Sequence, residues 1–406
     1  MKQTIFYGWR IVLVALIGQF LSVGSLLVYC FGVFVKPLAE AFKTDRGSIS
    51  LAVSLVSVGV ALGSPIAGRL IDKLGGKKVI TYALIGMSLC LFALSRVNGP
   101  IISLYIFYFL GGFIGSGNSP LAYSRIVANW FNQHRALAIG LGNAGVGLGA
   151  LLIPLLGQYL IQSADWRQVY IILSLACVLI ALPIVSLFLK NTPEELGQKP
   201  LGIIDISSQP SSAISIGAAA ATRTFWLLSM SILCVAISCT GIMTHLAAML
   251  TDRGLSPQIA AFAISLFGGA SLLGRIANGF LADRFHPPLV AAGIFSGAAI
   301  GILLLWLYPT GFTVYLATVM IGLAMGAESD IMPYMVSRYF GMRSMGTVYG
   351  FVFSAYTVGA ALGPLLFGIG FDQTGSYQWP LLIGLGLMIL AIALMWLLKG
   401  KEQQEG

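Results

Sequence analysis

The sequence predicts an all-α membrane protein whose twelve transmembrane helices form two pseudo-symmetric six-helix bundles. Three observations predict this fold class. First, 57% of the 406 residues are hydrophobic and only 9% are charged, whereas soluble proteins carry about 25% charged residues. Second, the apolar residues form long blocks, as expected of membrane spans. Third, the second half of the chain repeats motifs of the first half.

Each of the twelve apolar blocks has the roughly 20 residues that a helix needs to cross a bilayer. The blocks cover residues 10–34, 48–70, 79–96, 101–127, 136–159, 167–189, 224–250, 257–282, 288–308, 312–336, 345–369 and 378–398. We expect the first block to be a retained helix, because it lacks a convincing signal-peptide cleavage site and further spans follow it. The five cysteines all lie inside apolar blocks, so we expect buried free thiols.

The distribution of basic residues predicts the orientation of the chain. Twelve spans place both termini on the same side of the membrane, and the loops on that side carry most of the Lys and Arg residues. Because cytoplasmic loops are enriched in these residues, both termini are predicted to be cytoplasmic. The net charge of +9 therefore reflects membrane topology. With no basic patch interleaved with aromatic residues, we expect no nucleic-acid partner, and the lipid bilayer is the expected surrounding.

The internal repeat divides the chain into two similar halves. One set of residues recurs 211 positions later: Leu62-Gly63, Gly68, Leu70, Asp72 and Lys73 correspond to Leu273-Gly274, Gly279, Leu281, Asp283 and Arg284. A second set recurs 210 positions later: Gly140, Gly149 and Pro154 correspond to Gly350, Gly359 and Pro364. We predict bundles at 1–189 and 223–406, joined by a cytoplasmic linker at 190–222 that is rich in Pro, Ser, Gly and charge. Parallel repeats of this kind place a substrate site between the halves.

One loop carries a family resemblance. The segment from Gly68 to Lys78 is similar to the loop signature of the major facilitator superfamily, and it lies between the second and third spans, as in that family. Within the superfamily, most of the chain resembles bacterial monocarboxylate transporters and their oxalate–formate antiporter relatives. The residues that carry this resemblance are Tyr7-Gly8-Trp9, Trp130-Phe131, Arg135 through Gly140, His245-Leu246, Gly274-Arg275, Gly326-Ala327-Glu328 and Ser337 through Phe340.

The resemblance implies a secondary active transporter of small monocarboxylates such as lactate. It implies proton symport by alternating access, with an anion exchanger of the oxalate–formate type as the alternative. It also implies a monomer in a bacterial plasma (inner) membrane and no cofactor or bound metal. The loop residues with an expected role in the conformational change are Gly68, Asp72, Lys73, Gly279, Asp283 and Arg284.

The chain departs from the family at three places. Animal monocarboxylate carriers have a lysine in the first span, but the region around Leu27-Val28-Tyr29 has none. They also have an aspartate four residues before the arginine of the eighth span, where this chain has Ser271. Oxalate carriers have a lysine in the eleventh span, but Phe353 through Tyr356 offers none. A single membrane cation favours a monoanion over a dianion and leaves the site of proton coupling open.

Arg275 is the strongest candidate for substrate binding. A charge near the bilayer centre costs about 2.5–3.5 kcal/mol on insertion scales, so it should face the protein interior and have a partner. A guanidinium can hold a carboxylate through two hydrogen bonds. Because the equivalent residue of the first half is Ser64, we expect a substrate carboxylate to supply a counter-charge that the protein lacks. The alternative is a structural ion pair with a protein carboxylate.

Three further titratable residues are candidates for proton coupling. His245 lies in the seventh span and could bind substrate or carry a proton, or it could be a neutral histidine bonded within the packing. Glu328 and Asp330 lie two apart in the tenth span, so they should point to different helix faces. Either could hold a proton, although an inter-helix clamp with a basic residue is the interpretation we favour for both.

Several uncharged polar residues lie inside the predicted fourth, fifth and eleventh spans. They could line a substrate cavity, or they could hold helices together through hydrogen bonds. The candidates are Asn118, Ser119, Asn143, Ser354 and Tyr356, with Tyr123 and Tyr334 as weaker ones. The segment Gly140 through Gly145 matches a dinucleotide-binding pattern, but we interpret it as a close-packing helix face, since no strand precedes it.

Other classes of function have less support in the sequence. A membrane-embedded enzyme would need a metal cluster or a nucleophile–base pair, and the sequence suggests neither, so we expect no enzyme activity. A receptor built on a transporter scaffold would need a signalling domain, which the short linker does not provide. An ATP-driven pump would need a phosphate-binding P-loop, and the sequence has none.

Overall fold

The computed structural model describes residues 6–163, 165–202, 214–307 and 311–402. Within these ranges twelve helical segments are long and apolar enough to cross a membrane, which confirms the predicted spans. The α-helices are α1 (Tyr7–Phe20), α2 (Phe31–Phe42), α3 (Arg46–Leu74), α4 (Gly76–Ser95), α5 (Ile101–Gly115), α6 (Pro120–Trp130), α7 (Arg135–Ser163), α8 (Trp166–Ala176), α9 (Leu182–Phe188), α10 (Ile216–Ala220), α11 (Arg223–Asp252), α12 (Pro257–Arg284), α13 (Pro287–Leu307), α14 (Gly311–Tyr339), α15 (Met345–Thr374) and α16 (Gln378–Glu402).

Three of the predicted spans are interrupted rather than continuous α-helices. In the first span a π-helix at Gly24–Tyr29 lies between α1 and α2, and in the sixth span a π-helix at Cys177–Ala181 joins α8 to α9. In the fourth span residues 116–119 separate α5 from α6. Backbone groups released inside a membrane need partners from elsewhere in the protein. The Asn118 side-chain amide supplies one, donating to the Leu21 carbonyl at 2.9 Å.

The chain forms two compact units. Unit 1 comprises Met1–Ile214 and Val336–Ser354, and unit 2 comprises Ser215–Met335 and Ala355–Gly406. Unit 1 therefore contains the end of α14 and the start of α15 in addition to the first six spans. The five cysteines are free and buried, as expected from their places in apolar blocks.

Glycines bring the first and fifth spans of unit 1 into close contact. A Cβ atom at Gly145 would collide with the Leu16 carbonyl, and one at Gly149 would collide with Ser25 and the Phe20 carbonyl. These contacts confirm that the glycine-rich segment is a packing face of α7. The segment lies inside α7, as a close-packing helix face requires.

The first part of the predicted linker belongs to unit 1 and packs against its helices. Asn191 accepts a hydrogen bond from the Lys77 backbone amide at 2.8 Å, and its carbonyl accepts one from the Asn129 side chain at 2.9 Å. The Leu201 backbone bonds to Trp130 and to residues 132 and 133. Residues 190–202 therefore form an ordered cover over the ends of α4 and α6. Residues 203–213 of the predicted linker lie outside the described residues.

In unit 2, glycines bring α12 and α14 into direct backbone contact. A Cβ atom at Gly326 would collide with the Ser271 carbonyl, and one at Gly274 would collide with the Leu323 carbonyl. Because small residues let helices approach closely, a side chain on α12 can reach polar atoms on α14 without crossing a gap. This contact positions Arg275.

Candidate functional site

Arg275 forms a buried ion pair on α12. The residue is 7% exposed, and its Nη1 atom lies 3.3 Å from Oδ1 of Asp330 on α14. The same Nη1 donates to the Ser329 hydroxyl at 2.7 Å. The expectation that the protein lacks a counter-charge for Arg275 is therefore wrong. The carboxylate comes from the neighbouring helix, as in the alternative of a structural ion pair.

The ion pair uses only part of the guanidinium. Arginine has five N–H donors in a planar fork, and in the described residues Arg275 donates through Nη1 alone. Its buried Nε has no acceptor there. Nε and Nη2 form one edge of the guanidinium, which is the kind of edge that binds a carboxylate through two parallel hydrogen bonds. The geometry therefore allows Arg275 to pair with Asp330 and to retain a donor for a second anion.

Glu328 is a buried carboxyl of a different kind from Asp330. It is fully buried, and neither carboxyl oxygen has a hydrogen-bond partner among the described residues. The two acids differ in their contacts, since Asp330 meets Arg275 and Ser329. The inter-helix clamp that we favoured for both acids fits the contacts of Asp330 but has no partner at Glu328 in the described part of the chain.

Sequence reasoning missed two residues of this region, Ser329 and Asn278. Ser329 lies between the two acids in the sequence, and its hydroxyl donates to Oδ1 of Asp330 at 3.3 Å, the same oxygen that faces Arg275. Asn278 lies one helical turn after Arg275 and is fully buried; neither its amide nitrogen nor its amide oxygen has a partner within the described ranges. The sequence contained a signal for Asn278, because it is an amide inside an apolar span and lies three residues after Arg275.

His245 has partners on both ring nitrogens. Nε2 lies 3.0 Å from the Pro364 carbonyl, so it must be the donor. Nδ1 lies 3.1 Å from the Tyr377 hydroxyl. Burial, together with the nearby carboxylates of Asp252 and Asp372, raises the pKa of Tyr377, so the phenol stays protonated and can donate to Nδ1. These contacts support the interpretation of a histidine bonded within the packing.

In unit 1 the polar candidates form buried hydrogen bonds near the end of α1 and the interruption of the fourth span. Asn118 accepts from the Tyr123 hydroxyl at 2.9 Å while its amide donates to Leu21. Asn143 accepts from the side-chain amide of Gln19. Gln19 was not predicted from the sequence, although it is a lone amide in an apolar block. The Ser119 hydroxyl donates to the Ser116 carbonyl at 2.6 Å. The structure therefore brings Asn118 and Asn143 into one region.

The eleventh-span candidates lie in different units. The Ser354 hydroxyl donates to the carbonyls of Ala61 at 2.7 Å and Gly350 at 3.0 Å, so within unit 1 it links α15 to α3. Tyr356, which lies in unit 2, is half-buried. The weaker candidate Tyr334 is also half-buried in unit 2.

Asp72 binds the amino-terminal end of α15 within unit 1. Its carboxylate accepts from the Gly346 and Thr347 backbone amides at 3.0 and 2.7 Å and from the Thr347 hydroxyl at 2.8 Å. Arg125 lies 3.5 Å away. A carboxylate is favourable at a helix amino terminus because the exposed N–H groups and the helix dipole are positive there. Gly68 permits this approach, since a Cβ atom would collide with the Gly346 carbonyl.

The other loop candidates have fewer described contacts. Lys73 is exposed. In unit 2 the Arg284 guanidinium lies 3.9 Å from the centre of the Phe280 ring, a cation–π contact. Gly279 and Asp283 occupy the repeat positions of Gly68 and Asp72 near the end of α12.

The fold and the buried ionic region define a multi-pass membrane protein with charged groups sequestered inside its helices. The model of the Major Facilitator Superfamily matches residues 15–364 and 228–406, so the chain belongs to this superfamily. It is therefore a membrane transporter rather than an enzyme.

Individual relatives agree with this assignment. The chain is 28% identical to monocarboxylate transporter 13 of Rattus norvegicus, with 95% of this chain and 87% of the relative covered. It is 21% identical to the MFS-type transporter YhjX of Escherichia coli, with 87% of this chain and 85% of the relative covered. Among solved structures, the proton:xylose symporter XylE has a TM-score of 0.75 at 15% identity, with 96% of this chain and 95% of that chain covered, which shows a shared fold.

Proposed function

We propose that this transporter carries a small monocarboxylate together with a proton. The observation that carries the proposal is the free guanidinium edge of Arg275, a buried donor on a cation whose Nη1 already pairs with Asp330. A relative that covers most of the chain is named a monocarboxylate transporter, which supports the substrate class. We further propose a monomer in a bacterial plasma membrane with both termini cytoplasmic, as the basic loops indicate.

The charge balance around Arg275 favours proton coupling. Arg275 and Asp330 together are neutral, so a bound carboxylate adds one buried negative charge. An uncompensated buried charge is costly in a low-dielectric interior. Asp330 is the proton acceptor that we propose, because the substrate competes with it for the same cation. A proton on Asp330 would restore neutrality and make the loaded site electrically equivalent to the empty one.

The other candidates receive different roles in this proposal. The Glu328 carboxyl, which is buried without a described partner, is held at lowest cost as the neutral acid, and it is the second candidate for proton transfer. His245 acts as a packing clamp between α11 and α15. Asn118, Asn143 and Ser119 stabilise the interrupted helices of unit 1. The Asp72 and Asp283 loops, with Gly68, Lys73, Gly279 and Arg284, contribute to the conformational change.

Uptake into vesicles that contain the purified protein tests the proposal. We expect an inward proton gradient alone to drive accumulation of radiolabelled lactate, with no anion inside the vesicles. Accumulation that requires an internal anion and ignores the gradient would instead establish exchange of the oxalate–formate type. Absence of any carboxylate flux, in vesicles whose protein melts cooperatively, would refute the substrate class.

A further inference from the structure

Asn278 carries an unsatisfied amide one helical turn after Arg275. The two residues are three apart on α12, so they lie on neighbouring parts of one helix face, with Cβ atoms about 5–6 Å apart. Asn278 is 0% exposed, and both its Nδ2 and its Oδ1 lack a partner among the described residues. Buried amides nearly always find partners, so this one calls for an explanation.

The first half of the chain shows that the scaffold does not require this amide. The residues of the repeat that correspond to Arg275 and Asn278 are Ser64 and Ala67. The Ser64 hydroxyl bonds to the Val60 carbonyl at 2.7 Å, and Ala67 has no polar side-chain atom. The cation and the amide therefore occur together, one turn apart, only in the second copy of the motif.

The three unsatisfied groups are chemically complementary to a substituted carboxylate. Nε of Arg275 is a donor suited to an anionic oxygen. Asn278 adds one acceptor, Oδ1, and a two-proton donor, Nδ2. A carboxylate alone cannot satisfy Oδ1, because an anionic oxygen has no proton to donate. A hydroxyl group next to the carboxylate can do so, since it donates to Oδ1 and accepts from Nδ2.

We propose that Asn278 is a specificity-determining residue that selects 2-hydroxymonocarboxylates, an inference that rests on the proposed transport of monocarboxylates. A 2-hydroxy acid satisfies both amide atoms. A 2-oxo acid can accept from Nδ2 through its oxo oxygen but leaves Oδ1 unmet, and an unsubstituted acid leaves Oδ1 unmet and offers Nδ2 only the carboxylate oxygens that Arg275 already binds. The order of preference is therefore hydroxy, then oxo, then unsubstituted. A site built to bond a hydroxyl discriminates strongly against analogues that lack it.

Competition among three acids of equal chain length tests the inference on the wild-type protein. The probes are lactate, pyruvate and propionate. For each acid the initial uptake rate in protein-containing vesicles is divided by the substrate concentration, and the resulting values are compared as ratios. We expect lactate to exceed propionate by about tenfold or more, with pyruvate between them. Rates equal within about twofold would overturn the inference but leave carboxylate transport intact. No transport of any of the three acids would refute both.

A substitution locates the selectivity. Asn278→Ala, which restores the residue of the first half, should reduce lactate uptake to the propionate level while propionate uptake persists. Retention of the lactate preference in this variant would overturn the role of Asn278. The matched control is Ser229→Ala, because the Ser229 hydroxyl on α11 is also buried without a described partner; it should leave the ratio unchanged. If Asn278→Ala does not fold, the wild-type protein still decides, since lactate should raise its melting temperature more than propionate does.

Discussion

The second and eighth spans carry the same repeated motif, yet the polar side chains at the equivalent positions find their hydrogen-bond partners in different places. In unit 1, α3 carries Ser64, whose hydroxyl bonds back to its own helix at Val60. In unit 2, α12 carries Arg275, whose charge pairs with Asp330 on α14. The second span thus satisfies its polar group locally, whereas the eighth relies on a neighbouring helix and leaves donors unused. The same scaffold folds with either arrangement, and we therefore propose that the charge serves transport.

Arg275→Gln should have the largest effect, because it removes the proposed carboxylate donor. We expect carboxylate uptake to be abolished. Arg275→Lys should retain little carboxylate uptake, since an ammonium group cannot form two parallel hydrogen bonds to a carboxylate. Vesicle uptake of lactate measures both effects, and normal transport by Arg275→Gln would contradict the substrate-binding role.

The same variant should also destabilise the protein at neutral pH, because it leaves Asp330 buried without its cation. Removing one partner of a buried pair costs about 3–5 kcal/mol. The double variant Arg275→Gln/Asp330→Asn, which removes both charges, should regain most of this loss. Melting curves of the single and double variants measure the difference, and equal melting temperatures would show that the ion pair contributes little.

Asp330→Asn should uncouple uptake from the proton gradient. The amide cannot accept a proton at physiological pH, so lactate should equilibrate across the membrane without accumulating. Glu328→Gln is the matched comparison, because Glu328 is equally buried but does not share the Arg275 cation in the described contacts. We expect gradient-driven accumulation to survive in Glu328→Gln. The reverse pattern would move the proton site from Asp330 to Glu328.

Asp72→Ala should slow transport and lower stability, because it removes three hydrogen bonds to the start of α15. We expect a loss of about 1–3 kcal/mol, the usual cost of leaving buried donors unmet. Arg125 would also lose its counter-charge. Thermal melting and initial uptake rates test this, and a variant with an unchanged melting temperature would show that the contact is dispensable.

His245→Gln should have a smaller effect. Both ring nitrogens already have partners in unit 2, so we expect a lower melting temperature with an unchanged pH profile of uptake. A flattened pH profile in a stable variant would instead make His245 the proton carrier.

Ser64→Ala should have the smallest effect of all. We expect its free energy of unfolding to stay within about 1 kcal/mol of the wild-type value, because a serine hydroxyl bonded to its own helix contributes little.

The sequence predicted the membrane spans well, because long apolar blocks and the 211-residue repeat are strong local signals. It predicted Arg275 as a site residue for the same reason, since a charge in an apolar block is conspicuous. It did not predict the partnership with Asp330, which depends on how closely the glycines of α12 and α14 let these helices approach. The interruption at residues 116–119 was also missed, because the Asn118–Leu21 bond that supports it joins residues far apart in the chain.

Counting protons and charge during lactate uptake tests the proposed coupling most directly. In vesicles that contain an internal pH indicator and a potential-sensitive dye, we predict that one proton enters with each lactate and that uptake does not respond to membrane voltage. This follows from a neutral Arg275–Asp330 pair that accepts an anion and a proton together. Lactate entry with no internal acidification, or entry that builds up a membrane potential, would contradict electroneutral proton symport.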